Sequence, residues 1–476
     1  MPQSSSSSSS SSSRKPRTLG ELRRSEYQVL PVKEEIRKNL IHKLRNNEKI
    51  FPGIIGYDET VIPQVENAIL SGQDIIFLGE RGQAKTRMAR ALINLLDEEI
   101  PIIKGSEVND NPYAPISAEG RRLVQEYGDD VEIEWLPREA RYGEKLATPD
   151  ITIADLIGDV DPIKVAEGRY LSDELTIHYG LLPRTNRGIF CINELPDLAE
   201  RVQVGLLNVL EERDVQIRGY KVRLPLDIYL VASANPEDYT NRGRIITPLK
   251  DRAGSQIRTH YPTTVEQEID IMEQERMDFS TPGYEIEVPH YMKEIVAEIT
   301  HLARRHQDIS QRSGVSVRVS IANYENLISN ALKRAIRLGE HRVVPRISDL
   351  HALVASTAGK IEIEAVGDVR EDKLVEKLVQ GAVLAVWNRR FSVSDFDDVV
   401  TRFHNGLTIE VSDTMPSMEY VHQAADLKGM RGAITRLEAQ GNPAAVAAAV
   451  EFVLEGLHLN RRLNKDRSAG GVRYRR

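Results

Sequence analysis

Eight residues, Gly79-Glu80-Arg81-Gly82-Gln83-Ala84-Lys85-Thr86, have the make-up of an anion cradle. They lie between an apolar run, Ile75-Ile76-Phe77-Leu78, and a helical pattern through Met88, Ala91, Leu92 and Leu95. A loop between a buried strand and a helix N-terminus aims backbone N–H groups at a phosphate. In that role Lys85 reaches the β- and γ-phosphates of ATP, and Thr86 ligates Mg2+. Ala84 stands where the strict form of the loop has a second glycine. Its methyl costs little only if the backbone there does not need a positive φ. The plainer reading of the segment is a structural strand–helix turn.

Four further places bear on the same chemistry. The apolar run Gly188-Ile189-Phe190-Cys191-Ile192 ends in Asn193-Glu194. An acidic strand end of this kind holds Mg2+ and activates water in phosphate-loop ATPases. Glu194 can polarise the attacking water. Asn193 stands where an Asp is usual and can accept a hydrogen bond from Mg2+-bound water, so Asn193→Asp is expected to tighten the dependence on Mg2+. The run Ile228 to Ala232 leads to Ser233-Ala234-Asn235-Pro236, whose Asn235 can orient water against a γ-phosphate. Arg252, closing Pro248-Leu249-Lys250-Asp251-Arg252, can act on a neighbouring subunit's nucleotide. Arg318, just before a helix that Ser320 can cap, can reach back from a helical lid. Each residue has a bland alternative: ordinary strand-end solvation, an Asn-Pro turn, a surface arginine, a helix-flanking charge. Their order along the chain makes the stronger argument.

These residues need elements to hold them. Short buried-strand runs alternate with helical patterns after Pro52-Gly53: Ile75–Leu78, then Pro101-Ile102-Ile103, Gly188–Ile192, Ile228–Ala232, and Gln256–His260 as a fifth. Such runs predict a parallel sheet covered on both faces. Two inserted hairpins are expected, one within Gly158 to Tyr179 and one from Val215 to Leu224 turning near Arg218-Gly219. From Val265 no buried strand is evident. Ile321, Tyr324, Leu327, Ile328, Ala331, Leu332, Ala335 and Ile336 recur at helical steps, and Gly339 ends that helix. Asn442-Pro443 opens another helix. The boundaries read as a Ser-rich disordered tail at 1–18, a helical segment at 19–48, an α/β core at 49–262, a helical lid at 263–364, and a mostly helical region at 365–476 with a frayed basic tail.

Composition narrows the class. The 476 residues are too many for one ordinary domain. The 41% hydrophobic content supports a buried core, and a net charge of −8 argues against a protein held to nucleic acid by charge. No apolar run approaches the roughly 18 residues of a membrane span. A lone cysteine, Cys191, excludes an internal disulfide framework and fits a reducing cytoplasm. Placed in an apolar strand, it reads as an inert buried thiol. No His or Cys cluster suggests zinc.

The motif set resembles AAA+ ATPases, and within them the branch holding the magnesium chelatase I subunit and the MoxR ATPases. Gly79 to Thr86 resembles the MoxR-type loop. Gly180-Leu181-Leu182, Asn186-Arg187-Gly188, Asn193-Glu194-Leu195 and Gln203 to Glu211 resemble the chelatase segment through its Walker B strand and helix. The resemblance covers roughly residues 50 to 360. It implies a five-stranded α/β core with inserted hairpins, a helical lid, hexameric rings, and ATP sites with Mg2+ shared between neighbours. It implies Lys85 and Thr86 as Walker A, Asn193 and Glu194 as Walker B, Asn235 as sensor 1, Arg252 as arginine finger and Arg318 as sensor 2. A cytoplasmic ring that remodels a partner with a von Willebrand A-type domain, assisting metal or cofactor loading, follows as the expected function. The alternatives are a magnesium chelatase motor subunit, a hydrolysis-deficient ATP-binding scaffold, and a transcription-regulating AAA+ protein.

Overall fold

The computed structural model describes residues 15–160, 176–211, 214–216, 223–235, 243–310, 313–363, 370–424, 427–468 and 471–476. They fall into two compact units, residues 1–79 with 84–259, and residues 80–83 with 260–476.

The strands of the first unit are β1 (Ile75–Leu78), β2 (Glu99–Ile103), β3 (Ile133–Pro137), β4 (Tyr142–Leu146), β5 (Gly158–Val160), β6 (Ile177–Tyr179), β7 (Gly188–Asn193), β8 (Asp214–Gln216), β9 (Arg223–Pro225), β10 (Ile228–Ala234) and β11 (Ser255–Arg258). Five of them form one parallel sheet in the order β11-β1-β10-β7-β4. Every residue of β7 and β10 is buried, as expected of central parallel strands covered on both faces. Alternate side chains feed opposite cores. Phe190, Ile192, Leu230 and Ala232 pack with Val202 and Leu206 on one face, while Ile189, Cys191, Tyr229 and Val231 pack with Met88 and Leu92 on the other.

One strand of the expected sheet is corrected. The segment containing Pro101-Ile102-Ile103 is not in the parallel sheet; it pairs antiparallel with β3. The fifth member is the edge strand β4, whose polar sequence Tyr142-Gly143-Glu144-Lys145-Leu146 carries no apolar run. The hairpin expected within Gly158 to Tyr179 has its ends in β5 and β6, paired antiparallel. The second hairpin pairs β8 with β9. The turn near Arg218-Gly219 lies outside the described residues, as does most of the serine tail. Residues 15–18, assigned from sequence to that tail, are instead held against β3: Ile133 N–H donates to the Arg17 carbonyl, and Trp135 Nε1 to that of Pro16.

The N-terminal helix Val32–Arg45 is tied to the sheet by a buried ion pair. Glu35 meets Arg141 in a bidentate contact at 2.7 and 2.5 Å, with both side chains almost fully enclosed. Arg141 Nε also donates to the Arg187 carbonyl at 2.8 Å, one residue ahead of β7.

The second unit is mainly helical. Its principal helices are Val265–Glu275, His290–Ala303, Val317–Leu338, Glu371–Arg390 and Pro443–Leu459. One apolar core joins residues on both sides of position 365, among them Ile295, Leu327, Trp387 and Phe452. The helix expected to be capped by Ser320 begins earlier. Ser316 is its N-cap, and Ser320 lies buried inside it, donating toward Glu268 and Thr300. Gly339 ends the helix in the left-handed region at φ 69°, and Asn442 caps Pro443–Leu459, both as read from sequence.

Strands do occur after Val265. β12 (Glu285–Ile286) pairs with β13 (Arg342–Val343). β14 (Ile409–Val411), β15 (Asn464–Ser468) and β16 (Gly471–Arg475) form an antiparallel sheet with β16 in the middle. The basic C-terminal stretch is therefore a paired hairpin rather than a frayed tail. Tyr474, buried, anchors it by a hydrogen bond to Glu455.

Candidate active site

The loop after β1 begins at the carboxyl edge of the parallel sheet, where Gly79 N–H donates to the Ala234 carbonyl at the end of β10. Lys85 opens the helix Lys85–Ala91 and is buried, its ammonium hydrogen-bonded to the Gly79 carbonyl. Ala84 caps that helix at φ 55° and ψ 13°, in the left-handed region. The condition attached to its methyl is therefore not met. The conformation costs an alanine roughly 1 kcal/mol relative to glycine.

Glu80, Arg81, Gly82 and Gln83 are grouped with the second unit. There Gln83 braces the turn by accepting from Glu80 N–H at 3.1 Å and donating to the Glu80 carboxylate at 3.1 Å. Tyr261 donates to the Arg81 carbonyl at 3.0 Å. Gly82, at φ 77°, leaves no room for a side chain, since a Cβ there would lie 2.0 Å from Ser316 Oγ.

In the first unit the strand ends converge on Thr86. Its Oγ1 donates to Asn193 Oδ1 at 3.2 Å, and Ser233 Oγ donates to the same oxygen at 3.2 Å. The Asn193 amide nitrogen donates to Glu144 Oε1 at 2.7 Å. Glu144 is clamped in turn by Arg90 from the helix that starts at Lys85, through contacts of 2.7 and 2.8 Å. The Arg90 hydrogen bond and charge hold the Glu144 carboxyl below the usual range. Glu194, the next residue of the chain, takes a left-handed φ of 54°, and its N–H donates to Ser233 Oγ at 3.2 Å. Asn235, at the end of β10, is 1% exposed, and its Oδ1 accepts no hydrogen bond among the described residues.

The sequence-predicted residues thus divide. Lys85, Thr86, Asn193, Glu194 and Asn235 all stand at the carboxyl edge of one sheet. Arg252 ends the short helix Thr247–Arg252 of the same unit and is exposed, with Nη1 3.3 Å from the Pro248 carbonyl. Arg318 is the second residue of the helix Val317–Leu338 in the other unit, and is exposed. Sequence reasoning missed Glu144 and Arg90. The one signal was a carboxylate in a short stretch ahead of the Gly158 hairpin, with no apolar pattern to mark a strand.

The oxygen donors of Thr86, Asn193 and Glu194 suit a hard cation such as Mg2+. The orphaned Asn235 oxygen is a buried acceptor of the kind that a reacting water satisfies. Cys191, inside β7, is fully buried, and burial pushes its thiol up to about 12. It takes no nucleophilic part.

Residues 167–249 match the family described as the sigma-54 interaction domain, a stretch that contains β7 with its Asn193-Glu194 end and β10 with Asn235. This stretch of the chain resembles an AAA+ domain. Three solved structures show slighter likenesses. A protein of Cytophaga hutchinsonii assigned as an ATPase is 15% identical over 76% of this chain and 98% of its own, at a TM-score of 0.30. NtrX from Brucella abortus is 17% identical over 73% of this chain and 66% of its own, at 0.37. The complex of BchI and BchD of magnesium chelatase is 19% identical over 74% of this chain and 100% of that one, at 0.32. Overlaps this slight carry no argument. No curated protein sequence matches the chain. No helix among the described residues is long and apolar enough to cross a membrane.

Proposed function

We propose that the chain is an AAA+ ATPase that binds and hydrolyses ATP in a cytoplasmic ring, most simply a hexamer, and uses the cycle to remodel a partner protein. The observation that carries the reading is the meeting of Thr86, Asn193 and Ser233 beside the buried Lys85, at the sheet edge where Glu194 and Asn235 also emerge. Lys85 binds the terminal phosphates. Thr86 and Asn193 hold the metal side of the site, Glu194 takes the proton of the attacking water, and Asn235 orients that water. When bound, Mg2+ supplies charge neutralisation for the phosphates. Arg252 serves a neighbour's nucleotide, and Arg318 contributes from the helical lid.

The partner is proposed to carry a von Willebrand A-type domain and to receive a metal or cofactor with this protein's help, on the resemblance to the MoxR and chelatase branch. Calorimetric titration of ATP with Mg2+ into Lys85→Ala tests the site. Charged hydrogen bonds are worth about 1.5–3 kcal/mol each, so loss of contacts to two phosphates should weaken binding by roughly 10² to 10⁴. Unchanged affinity would remove the phosphate-loop assignment. The match at 167–249 favours a second reading, in which the remodelled partner is a sigma-54 factor. Co-purification of the tagged protein with sigma-54 rather than a von Willebrand A protein would select it.

A further inference from the structure

Asn193 replaces the aspartate usual at this strand end, and Glu144 supplies its physical setting. An amide has one accepting and one donating end. Here Thr86 and Ser233 hydroxyls approach the oxygen, and the Glu144 carboxylate takes the NH2 group. Reversing the amide would set its oxygen 2.7 Å from a carboxylate oxygen with no proton between them. Glu144 thus decides that Asn193 presents oxygen to Thr86. The carboxylate is fixed from its other side by Arg90, four residues along the chain from Thr86. The pairing of β4 with β7 makes this possible, with Glu144 opposite Cys191 and Leu146 opposite Asn193.

We propose that Glu144 is a positioning residue for the Mg2+ side of the nucleotide site. It orients the Asn193 oxygen toward Thr86, and the Glu144–Asn193 pair replaces the single aspartate of the usual arrangement. The inference rests on the ATP-site reading above. It reverses the sign of the expectation from sequence. An aspartate at 193 would face Glu144 carboxylate to carboxylate, so Asn193→Asp weakens the site instead of tightening Mg2+ dependence.

The test uses the full chain and a non-hydrolysable ATP analogue, titrated by calorimetry with and without Mg2+. The quantity read is the gain in affinity that Mg2+ confers. Partners one shell out from a metal commonly govern its affinity by about 10- to 100-fold. Glu144→Leu, which offers the Asn193 amide no acceptor, and Asn193→Asp should each lower the gain by about tenfold. The double variant, Glu144→Gln with Asn193→Asp, restores a donor facing an acceptor and should return the gain to within about threefold of wild type. A Mg2+ gain in Asn193→Asp equal to or above wild type overturns the proposal. So does a double variant no better than the weaker single. Thermal melting of each variant separates a folding defect from a site defect, and the double variant keeps the test open should one single variant fold poorly. If the wild-type chain shows no Mg2+ gain at all, the ATP-site reading itself falls, and this inference with it.

Discussion

Arg141→Met tests how the N-terminal helix reaches the site. Arg141 is 1% exposed and Glu35 3% exposed. The substitution keeps most of the side-chain volume but removes both bonds to Glu35 and the bond to the Arg187 carbonyl. Glu35 keeps only the Asp97 N–H, at 2.6 Å, and is left as a buried charge. Breaking one side of a buried pair costs about 3–5 kcal/mol. The surviving Asp97 bond favours the lower end, about 3 kcal/mol. Every 1.4 kcal/mol is tenfold, so opening of the first unit should become roughly 100-fold more frequent. Native-state hydrogen exchange at the β7 amides of the full chain reads this directly, provided exchange follows the opening equilibrium. The companion double variant, Glu35→Leu with Arg141→Met, removes the stranded charge and should recover to within about 1 kcal/mol of wild type, because apolar replacement of a buried pair is often neutral. Less than fivefold acceleration in the single variant, or a double variant worse than the single, would refute the reasoning. The same clamp sets where β4 meets β7, so Arg141→Met should also reduce the Mg2+ gain in nucleotide affinity.

Three further outcomes are expected. Glu194→Gln should retain ATP binding and lose roughly two to four orders of magnitude in turnover; steady-state phosphate release checks it, and wild-type turnover no faster than the variant would favour a hydrolysis-deficient scaffold. Mixing inactive Arg252→Ala with inactive Lys85→Ala should partly restore ATPase activity if Arg252 acts across a subunit interface, since some interfaces then pair an intact loop with an intact arginine. Mixed rings in native mass spectrometry without recovered activity would contradict that. Cys191, its thiol raised to about 12 by burial, should resist alkylation at pH 8.5 in the native chain and react on unfolding; a native state that excludes the thiolate also loses stability as pH rises above the unfolded value near 9.

The central strands were legible because burial on both faces demands apolar residues at every position, as in Gly188–Ile192 and Ile228–Ala232. Edge strand β4 was not, because Glu144 and Lys145 lie on a strand with only one sheet neighbour, where polar side chains are tolerated and no apolar run is required. Pro101-Ile102-Ile103 read correctly as a strand but not as a member of the parallel sheet, since apolar character names no pairing partner. Ser316 and Ser320 are equally plausible caps by type; burial against Glu268 and Thr300 decides between them, and those residues are distant in sequence. The Lys85, Thr86, Asn193 and Asn235 positions followed from local pattern. Glu144 required knowledge of which strand lies beside β7, a long-range fact.

β16 has a consequence for anyone who would shorten the chain. Because it runs between β14 and β15, cutting residues 471–476 would not trim a loose end but expose two strand edges at once. It would also take Tyr474 away from the buried Glu455, leaving Lys465 as that carboxylate's remaining ion partner. Unpaired edges are templates for association with other chains, so the truncated chain is expected to aggregate more readily than the chain that keeps β16. An added sequence beyond the exposed Arg476 leaves both edges covered.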